Sequence, residues 1–490
     1  MPKRIICIQG VQEKFYFLLF GKIAEKLKSE SKIEIHILSS RSINNAVGSD
    51  WVANIKRWPI FSWLISRQWE RVYGNIIDRT AYRSSPIFQP LGDLQKWLRS
   101  KKIWELLKKQ EKDFSLVIDG VEYADLIIDT FLRFNPAPYF DVHSKFVRRI
   151  IWQMLRDISQ AEKYFSTVKP SHFLSSYSSY IVHGVPCRIA LKHGVEVVTF
   201  GEFSSFIKKL SISDPYHSKN CANYLTEFEK LNYKEAKLNE AKKKLSLRLG
   251  GHIDAAISYM GESAYSKKSV NFDRSELEGS VVIFLHDFYD SPHIFPGLVF
   301  IDFWEWVCFT IEVFEQSKIK FHIKPHPNQI AKNDDVIYKL KIKYPSLLLL
   351  DARVNNLELV KAGIICGITV YGTIAHELSF MGIPSISCAQ HSHYKFDFCR
   401  TAKNREEYRA MLQSSKILPI KKSEMKRQAL IYYYMHNIHG EAELKELVQS
   451  WAKLFSLCYS SNITHQQILD GLSDGINNAR FKKFLKEMTY

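Results

Sequence analysis

The stretch GIICGITVYGTIAHELSFMGIP, residues Gly363–Pro384, predicts a strand, a tight turn and a short helix. Residues 363–370 are small or apolar apart from Thr369, as in a strand that is buried on both faces. Residues 374–381 favour a helix, Gly382 suits the position just after it, and the proline two residues later prevents it from resuming. A new strand is predicted directly afterwards, so strand and helix alternate here.

The turn between this strand and helix is a candidate anion site. It would lie at the carboxyl edge of a parallel sheet, where backbone N–H groups and a helix dipole favour a phosphate. Gly372 allows close approach of the backbone, and Thr373 adds a hydroxyl donor. Glu377 lies one residue beyond the acid of a capping box, so it is a candidate acceptor of hydrogen bonds from a ribose. The alternative is an ordinary turn with a threonine cap and a solvated glutamate.

Length and composition indicate a folded protein of more than one domain. A chain of 490 residues is too long for a single core, and contents of 46% hydrophobic and 24% charged residues are those of a globular protein. The sequence contains no run of about 18 apolar residues, so no membrane span is predicted. The eight cysteines form no Cys-x-x-Cys pair, and we interpret them as buried free thiols in a reducing cytoplasm.

The formal net charge of +17 favours an anionic partner, such as a membrane surface, a nucleic acid or an acidic glycan or nucleotide. The sequence has no zinc-finger, RNA-recognition or basic-zipper pattern, so nucleic acid is the least favoured partner. Residues 50–110 interleave basic residues with tryptophans, in a pattern typical of a membrane interface or a sugar-binding face. The alternative is a helical insert that packs on the sheet. These tryptophans are Trp51, Trp58, Trp63, Trp69, Trp97 and Trp104.

Strands and helices alternate along two separate stretches, which predicts an α/β fold of two Rossmann-like, doubly wound domains. The first turn lacks the glycine-rich dinucleotide fingerprint, so NAD or FAD binding is not predicted. Strands are predicted at residues 4–9, 33–38, 172–176, 195–200, 280–285, 320–324 and 347–350, and residues 114–120 are predicted to be a further strand with its turn. The expected domains are residues 1–270 with a helical insert at about 50–110, residues 280–425, and C-terminal helices over residues 426–490.

A predicted helix over residues 123–133 carries Asp125, Asp129 and Arg133 at spacings of four, which places them on one face. The simpler interpretation is a solvent-facing ion pair between Asp129 and Arg133. The functional one makes Asp125 a general base, because its only neighbour at that spacing is a like charge that would raise its pKa. Asp129 would then support it, and Arg133 would bind the acceptor. The competing bases are Asp119, Glu122 and Glu202.

Two further loops follow predicted strands of the second domain, where parallel sheets present ligands. One contains His286, Asp287, Asp290 and His293, and the other is Lys324-Pro-His-Pro327. A histidine between two prolines has a stiff backbone and can hydrogen-bond to a phosphate, to which Lys324 would add charge. No compact spacing of metal ligands is present, so no metal is predicted.

Lys324-Pro-His-Pro327 and Thr369-Val-Tyr-Gly-Thr-Ile-Ala-His-Glu-Leu378, followed by Gly-Ile-Pro384, resemble bacterial capsule and surface-polysaccharide glycosyltransferases of the GT-B fold. The resemblance extends over roughly residues 110–400 and includes the 123–133 helix and the His286 loop. Sialyl- and Kdo-transferases of this fold hold the donor phosphate with a His-Pro motif and a Ser/Thr motif. The resemblance therefore implies that His326 and Thr373 hold the phosphate and Glu377 the ribose. It also implies two domains facing across a cleft.

The chain departs from the sialyltransferase pattern, because Asp119-Gly120 is only a fragment of the acidic motif that supplies the base. The function expected from the resemblance is transfer of a sugar from a nucleotide-activated donor, CMP-linked donors included, to a surface polysaccharide or lipid-linked glycan. The donor is a substrate, and no other cofactor is expected. The protein is expected in the cytoplasm, at the anionic inner face of the membrane. The alternatives are a CDP-polyol phosphotransferase and a non-catalytic protein that binds glycans or membranes.

Overall fold

A computed structural model describes most of the chain. The tryptophans at 51, 58, 63 and 69, the helix predicted over residues 60–73 and Glu202 lie outside the described residues. The described residues are 4–10, 14–30, 32–39, 76–81, 90–110, 114–134, 137–200, 207–219, 223–252, 263, 265, 273–327, 329–439, 451, 454 and 464–488.

The secondary structure over these residues is mixed α/β. The strands are β1 (Arg4–Gly10), β2 (Ile33–Ser39), β3 (Arg79–Ala81), β4 (Val117–Ile118), β5 (Val121–Glu122), β6 (His172–Ser175), β7 (Glu196–Thr199), β8 (Lys208–Lys209), β9 (Val281–Phe284), β10 (Phe321–Lys324), β11 (Cys366–Ile368), β12 (Ser385–Ser387) and β13 (Cys399–Thr401). The α-helices are α1 (Lys14–Glu30), α2 (Pro90–Leu107), α3 (Ala124–Phe134), α4 (Lys145–Val168), α5 (Tyr180–Lys192), α6 (Tyr224–Glu229), α7 (Lys234–Leu249), α8 (Phe303–Gln316), α9 (Asn333–Lys343), α10 (Asn356–Lys361), α11 (Ile374–Phe380), α12 (Arg405–Gln413), α13 (Lys422–Tyr433), α14 (His465–Asn477) and α15 (Ala479–Glu487).

The chain forms two compact units. The first comprises Met1–Pro136, Phe140–Lys219 and Glu441–Tyr490, and the second comprises Ala137–Tyr139 and Asn220–Gly440. The helices α6 and α7 thus belong to the second unit, although the sequence placed them in the first domain. The reason is that the apolar face of α7 packs with residues of α13 in one core cluster. The helices of residues 426–490 are divided between the units and do not form one block.

The first unit contains a six-stranded sheet in the order β3-β2-β1-β6-β7-β8, parallel except for the pairing of β7 with β8. The central strand β1 is buried on both faces, and its isoleucines pair in register with those of β2, with Ile6 opposite Ile35 and Ile8 opposite Ile37. Helix α1 covers one face with four buried aromatic rings, and helices α14 and α15 return to the same core. Continuous β-branched strands of this kind are typical of a sheet covered by helices.

The second unit contains a five-stranded parallel sheet in the order β10-β9-β11-β12-β13. Residues Val281, Ile283, Ile323 and Ile368 of this sheet pack against helix α8 and its Trp306 in one apolar cluster. Helix α8 begins directly after Asp302 because the carboxylate of Asp302 accepts a hydrogen bond from Glu305 N at 2.8 Å. The prediction of two Rossmann-like units with parallel sheets is confirmed.

Two predicted strands do not become strands of the main sheets. Residues 114–120 do not join the main sheet; β4 pairs only with β5 in a two-stranded antiparallel hairpin. Asp119 and Gly120 have φ values of 50° and 80°, so they form the type of turn that Asp-Gly favours between antiparallel strands. Residues 347–350 form no strand; a single bridge joins Ile323 to Leu349 beside β10. Helix α5 begins at Tyr180, so Pro186 lies inside it.

Candidate functional site

A cavity of about 420 Å³ lies within the second unit at the carboxyl ends of its strands. Its size falls in the range of about 300 to 1,000 Å³ that is typical of small-molecule sites. Strand β9 connects to β10 on one side, and β11 connects to β12 on the other, so the crevice between β9 and β11 is the switch point at which doubly wound sheets bind ligands. The polar lining residues include Arg248, Tyr265, His286, Asp290, Lys324, His326, Asn356, Thr373, Glu377 and His391.

Lys324 is the most unusual residue of the lining because its ammonium group is buried. It is the last residue of β10, and its Nζ donates a hydrogen bond to Ala352 O at 3.0 Å. Burial lowers the pKa of Lys324 to about 8, and the negative charge of Asp351 opposes that shift. Burying an ammonium group costs free energy unless a negative charge offsets it. The position of Lys324 therefore indicates an anionic ligand in the cavity.

His326 follows Lys324 between two prolines and also lines the cavity. Burial lowers the pKa of His326 to about 4, and the charge of Lys324 acts in the same direction, while Asp287 opposes it. The imidazole is therefore neutral at pH 7, and one of its ring nitrogens is a donor. Together, Lys324 and His326 can supply one charged and one neutral hydrogen bond to the same ligand.

The turn after β11 is held by hydrogen bonds to the hydroxyl of Thr369. Gly372 N donates to Thr369 Oγ1 at 3.0 Å, and the same hydroxyl is hydrogen-bonded to His286 Nε2 at 3.1 Å. A Cβ atom on Gly372 would lie 2.7 Å from Thr369 Oγ1, so only glycine fits here. The ring of His286 stacks on Phe303 with centroids 5.3 Å apart, and burial lowers its pKa to about 3. His286 therefore forms part of the cavity wall as a neutral, anchored ring.

The structure rules out the simpler alternative for Thr373 and Glu377, which was a threonine cap with a solvated glutamate. Among the described residues, the Thr373 side chain makes no capping hydrogen bond to helix α11, and it lines the cavity. Helix α11 has only seven residues, so its dipole contributes little to an anion site. Glu377 is buried, with an ion pair to Arg248 at 2.9 Å and a hydrogen bond from the Tyr265 hydroxyl at 2.5 Å. The expected solvated glutamate is thus wrong.

Arg248 and Tyr265 are among the site residues that the sequence did not indicate, because both were expected in the first domain. Burial raises the pKa of Tyr265 well above its ordinary value, and the charge of Glu377 adds to this, so the phenol stays protonated as a donor. A signal for Arg248 did exist. It lies three residues after Leu245 and seven after Ala241, on the apolar face of a helix that is otherwise rich in lysine.

The predicted base Asp125 lies in the first unit and is engaged by a partner that the sequence did not suggest. Arg188 of helix α5 binds both carboxylate oxygens, with Nη1 at 2.8 Å from Oδ1 and Nη2 on Oδ2. The premise that Asp125 has only a like-charged neighbour is therefore wrong. Asp129 is buried, so it does not face solvent as the simpler interpretation expected. Glu122 accepts hydrogen bonds from Leu116 N and Ala124 N at 2.8 and 2.7 Å and so holds the hairpin.

The carboxyl edge of the first sheet carries a buried polar network. Gln9 Nε2 donates to Val182 O at 2.9 Å, which directs Gln9 Oε1 toward Ser175 Oγ at 2.8 Å and His183 Nδ1 at 2.9 Å. The amide oxygen can only accept, so the proton of this histidine lies on Nδ1. Burial lowers the pKa of His183 to about 3, and the ring is neutral.

Two features are absent from the described residues, a cluster of metal ligands and a membrane-spanning helix. No group of three or more His, Cys, Asp or Glu side chains is arranged to hold a metal ion. None of the helices listed above is both long and apolar enough to cross a membrane. The six cysteines among these residues are free and buried, as predicted.

No protein-family model and no curated protein matches this sequence. Similar solved structures include KpsC of Thermosulfurimonas dismutans, a β-Kdo 2,4-transferase, at 13% identity and a TM-score of 0.33, covering 53% of this chain and 79% of that one. UDP-GlcNAc 2-epimerase of Neisseria meningitidis, bound to UDP-GlcNAc, is 10% identical with a TM-score of 0.25, covering 91% and 98%. The spinosyn rhamnosyltransferase SpnG, with spinosyn aglycone, is 9% identical with a TM-score of 0.26, covering 91% and 99%. At these values, the likeness carries no argument about activity.

Proposed function

We propose that the protein is a glycosyltransferase of the GT-B type that binds a nucleotide-activated sugar in the cavity of the second unit. The observation that carries this proposal is the buried Lys324 beside the neutral His326, on the wall of a cavity at the switch point of a parallel sheet. The phosphate of a nucleotide supplies the negative charge that such a lysine lacks. The motifs that contain these residues resemble those of surface-polysaccharide glycosyltransferases.

In this proposal, the side chains of the cavity act mainly on the leaving nucleotide. When the bond between sugar and phosphate breaks, negative charge builds up on the phosphate oxygens. Lys324 stabilises that charge with its ammonium group, and His326 and Thr373 donate neutral hydrogen bonds to it. Gly372 lets the backbone approach without a clash, and the anchored His286 keeps the turn in place. No step in this scheme requires a metal ion.

The role proposed for Glu377 is indirect. Its carboxylate is shared between Arg248 and Tyr265, so a ribose hydroxyl would join an existing network. Arg248 and Asn356 also line the cavity and carry further N–H groups next to that carboxylate, while Tyr265 donates its one hydroxyl proton to Glu377. We therefore assign the ribose to this side of the cavity and the phosphate to the side of Lys324.

A direct test is calorimetric titration of the whole protein with CMP, CDP, UDP and GDP. We expect one nucleotide to bind clearly more tightly than the others, and His326→Ala to weaken that binding by about tenfold while leaving the fold intact. His143→Ala, in an exposed loop of the first unit, is the matched control and should bind as the wild type does. Absence of binding for all four nucleotides, or normal binding by His326→Ala, would contradict the proposal.

The CDP-polyol phosphotransferase remains the second candidate, because it requires the same phosphate-binding residues. The two reactions differ in what reaches the acceptor. Transfer from a nucleotide sugar adds no phosphorus to the product, whereas transfer from a CDP-polyol carries a phosphate with it. Mass spectrometry of the product separates the two outcomes. A non-catalytic binding protein would release no nucleotide from either donor.

The acceptor, the base and the cellular location belong to the same proposal. We assign a surface glycan or lipid-linked glycan as the acceptor, with the first unit binding it at the inner face of the membrane. Asp125 stays the candidate base, but it must act while paired to Arg188. Asp125→Asn tests this at saturating donor: kcat within threefold of wild type would exclude the role, while a large loss with donor binding unchanged would support it.

A further inference from the structure

Helix α2 exposes a row of leucines that nothing in the described part of the chain covers. Leu91, Leu94 and Leu98 are 77%, 53% and 53% exposed. Leu106, about two turns after Leu98, is 63% exposed. Their spacing of three, four and eight residues places all four on one side of the helix. An apolar row of this length on a surface helix is typical of a face that binds something.

The opposite side of α2 is fixed to the first unit. Trp97 packs edge-on against Trp152 with centroids 5.3 Å apart, and the Arg148 guanidinium lies 3.7 Å above the Trp97 ring. Trp104 Nε1 donates to Val142 O at 2.6 Å. The helix is therefore held by its tryptophans, which were candidates for a membrane interface, and its leucines are left facing outward on a rigid support.

Basic residues surround the leucine row. Arg99 and Lys101 lie on its two flanks and Lys102 lies within it, and all three are exposed. The two acids of the helix are already paired, because Asp93 binds Arg156 at 2.9 Å and Glu105 binds Lys108 at 2.8 Å. The exposed face thus combines apolar side chains with uncompensated positive charge. This combination fits a surface that has acyl chains beneath negatively charged headgroups.

We propose that the leucine row of α2 and its basic flanks dock the protein on an anionic membrane surface, with the helix lying in the plane of the interface. The leucines insert among the acyl chains, and Arg99, Lys101 and Lys102 contact the headgroup phosphates. This docking does not depend on the glycosyltransferase proposal, because it involves only the first unit. A glycan acceptor carried on a lipid would nevertheless be met at this surface.

The test is co-sedimentation of the full chain with vesicles of phosphatidylcholine plus phosphatidylglycerol, and with vesicles of phosphatidylcholine alone. We expect binding to the anionic vesicles that weakens as salt is added. The triple variant Leu91→Ser, Leu94→Ser, Leu98→Ser should bind about tenfold to a hundredfold more weakly. The variant Arg99→Gln, Lys101→Gln, Lys102→Gln should lose about tenfold or more, and only on the anionic vesicles.

A matched control carries three apolar-to-serine changes elsewhere. Ile212, Leu247 and Ile417 are 77%, 53% and 61% exposed, so their exposed fractions match those of the three leucines closely. Their serine variant should bind vesicles as the wild type does, and circular dichroism should show the same fold for all variants. Equal binding by the leucine variant and the control would overturn the proposal. So would a wild-type dimer that the leucine variant converts to a monomer, because the row would then face a second copy of the chain.

Discussion

The carboxyl edges of the two sheets are alike in topology and differ in what their polar groups face. Each sheet has a switch point, between β1 and β6 in the first unit and between β9 and β11 in the second. At the first, Gln9, Ser175 and His183 hydrogen-bond to one another. At the second, Lys324 and His326 line a cavity of about 420 Å³. The fold supplies both edges, and they differ in where their polar groups lie: at the first they bind one another, and at the second they line a cavity.

The largest effect on stability should come from breaking the ion pair between Arg248 and Glu377 at the carboxyl edge of the second sheet. Glu377→Gln leaves the buried Arg248 without a counter-charge, which should cost about 3 to 5 kcal/mol of unfolding free energy. Replacing both residues, with Arg248→Met, should recover part of that loss. Urea unfolding of the single and double variants measures both quantities. A loss below about 1 kcal/mol in the single variant would show that this edge does not depend on its ion pair.

Lys324→Met separates binding from stability. Removing the buried charge should weaken nucleotide binding by about 30-fold or more, since a charge-assisted hydrogen bond is lost, yet leave the melting temperature unchanged or higher. Lys320→Met, just before the same strand and exposed, is the control and should change neither. Lower thermal stability together with normal nucleotide affinity would assign Lys324 a structural role instead.

At the carboxyl edge of the first sheet, Gln9→Leu should lower stability without weakening nucleotide binding, which is the reverse of Lys324→Met. It leaves Ser175 Oγ and His183 Nδ1 without their shared acceptor, which should cost about 1 to 3 kcal/mol of unfolding free energy. Nucleotide binding should stay unchanged. Gln466→Leu, at an exposed position, should alter stability by less than about 0.5 kcal/mol. A Gln9 variant that binds nucleotide less well would break the contrast between the two edges.

The smallest effect is a dependence on pH. The pKa of Lys324 is lowered to about 8, so the lysine loses its charge between pH 7 and pH 9, and nucleotide affinity should fall by roughly tenfold. Stability should move the other way. Between about pH 8 and the ordinary value of 10.5 the unfolded chain holds the extra proton, so the folded state gains stability as pH rises. Both trends should vanish in Lys324→Met.

The sequence predicted the strands whose apolar runs are continuous. It also predicted a strand and a turn ending at Gly120, but not that this strand pairs with β5 in a separate hairpin. The sequence indicated those residues of the candidate site that lie within short motifs. Lys324, His326 and Thr373 are of this kind, and all three line one cavity. Arg248 and Tyr265 reach that cavity from a distant segment, and the ion pair of Asp125 with Arg188 joins two helices. Partners of this kind depend on tertiary packing, which local patterns do not encode.

The buried amine of Lys324 also has a chemical consequence. With a pKa of about 8, roughly a tenth of it is unprotonated at pH 7, against fewer than about one in a thousand for an ordinary lysine. An unprotonated amine is a nucleophile, so this one residue among the many lysines of the chain should react first with a small acylating reagent or aldehyde. A bound nucleotide would block that reaction, which makes covalent labelling at Lys324 a reporter of whether the cavity is occupied.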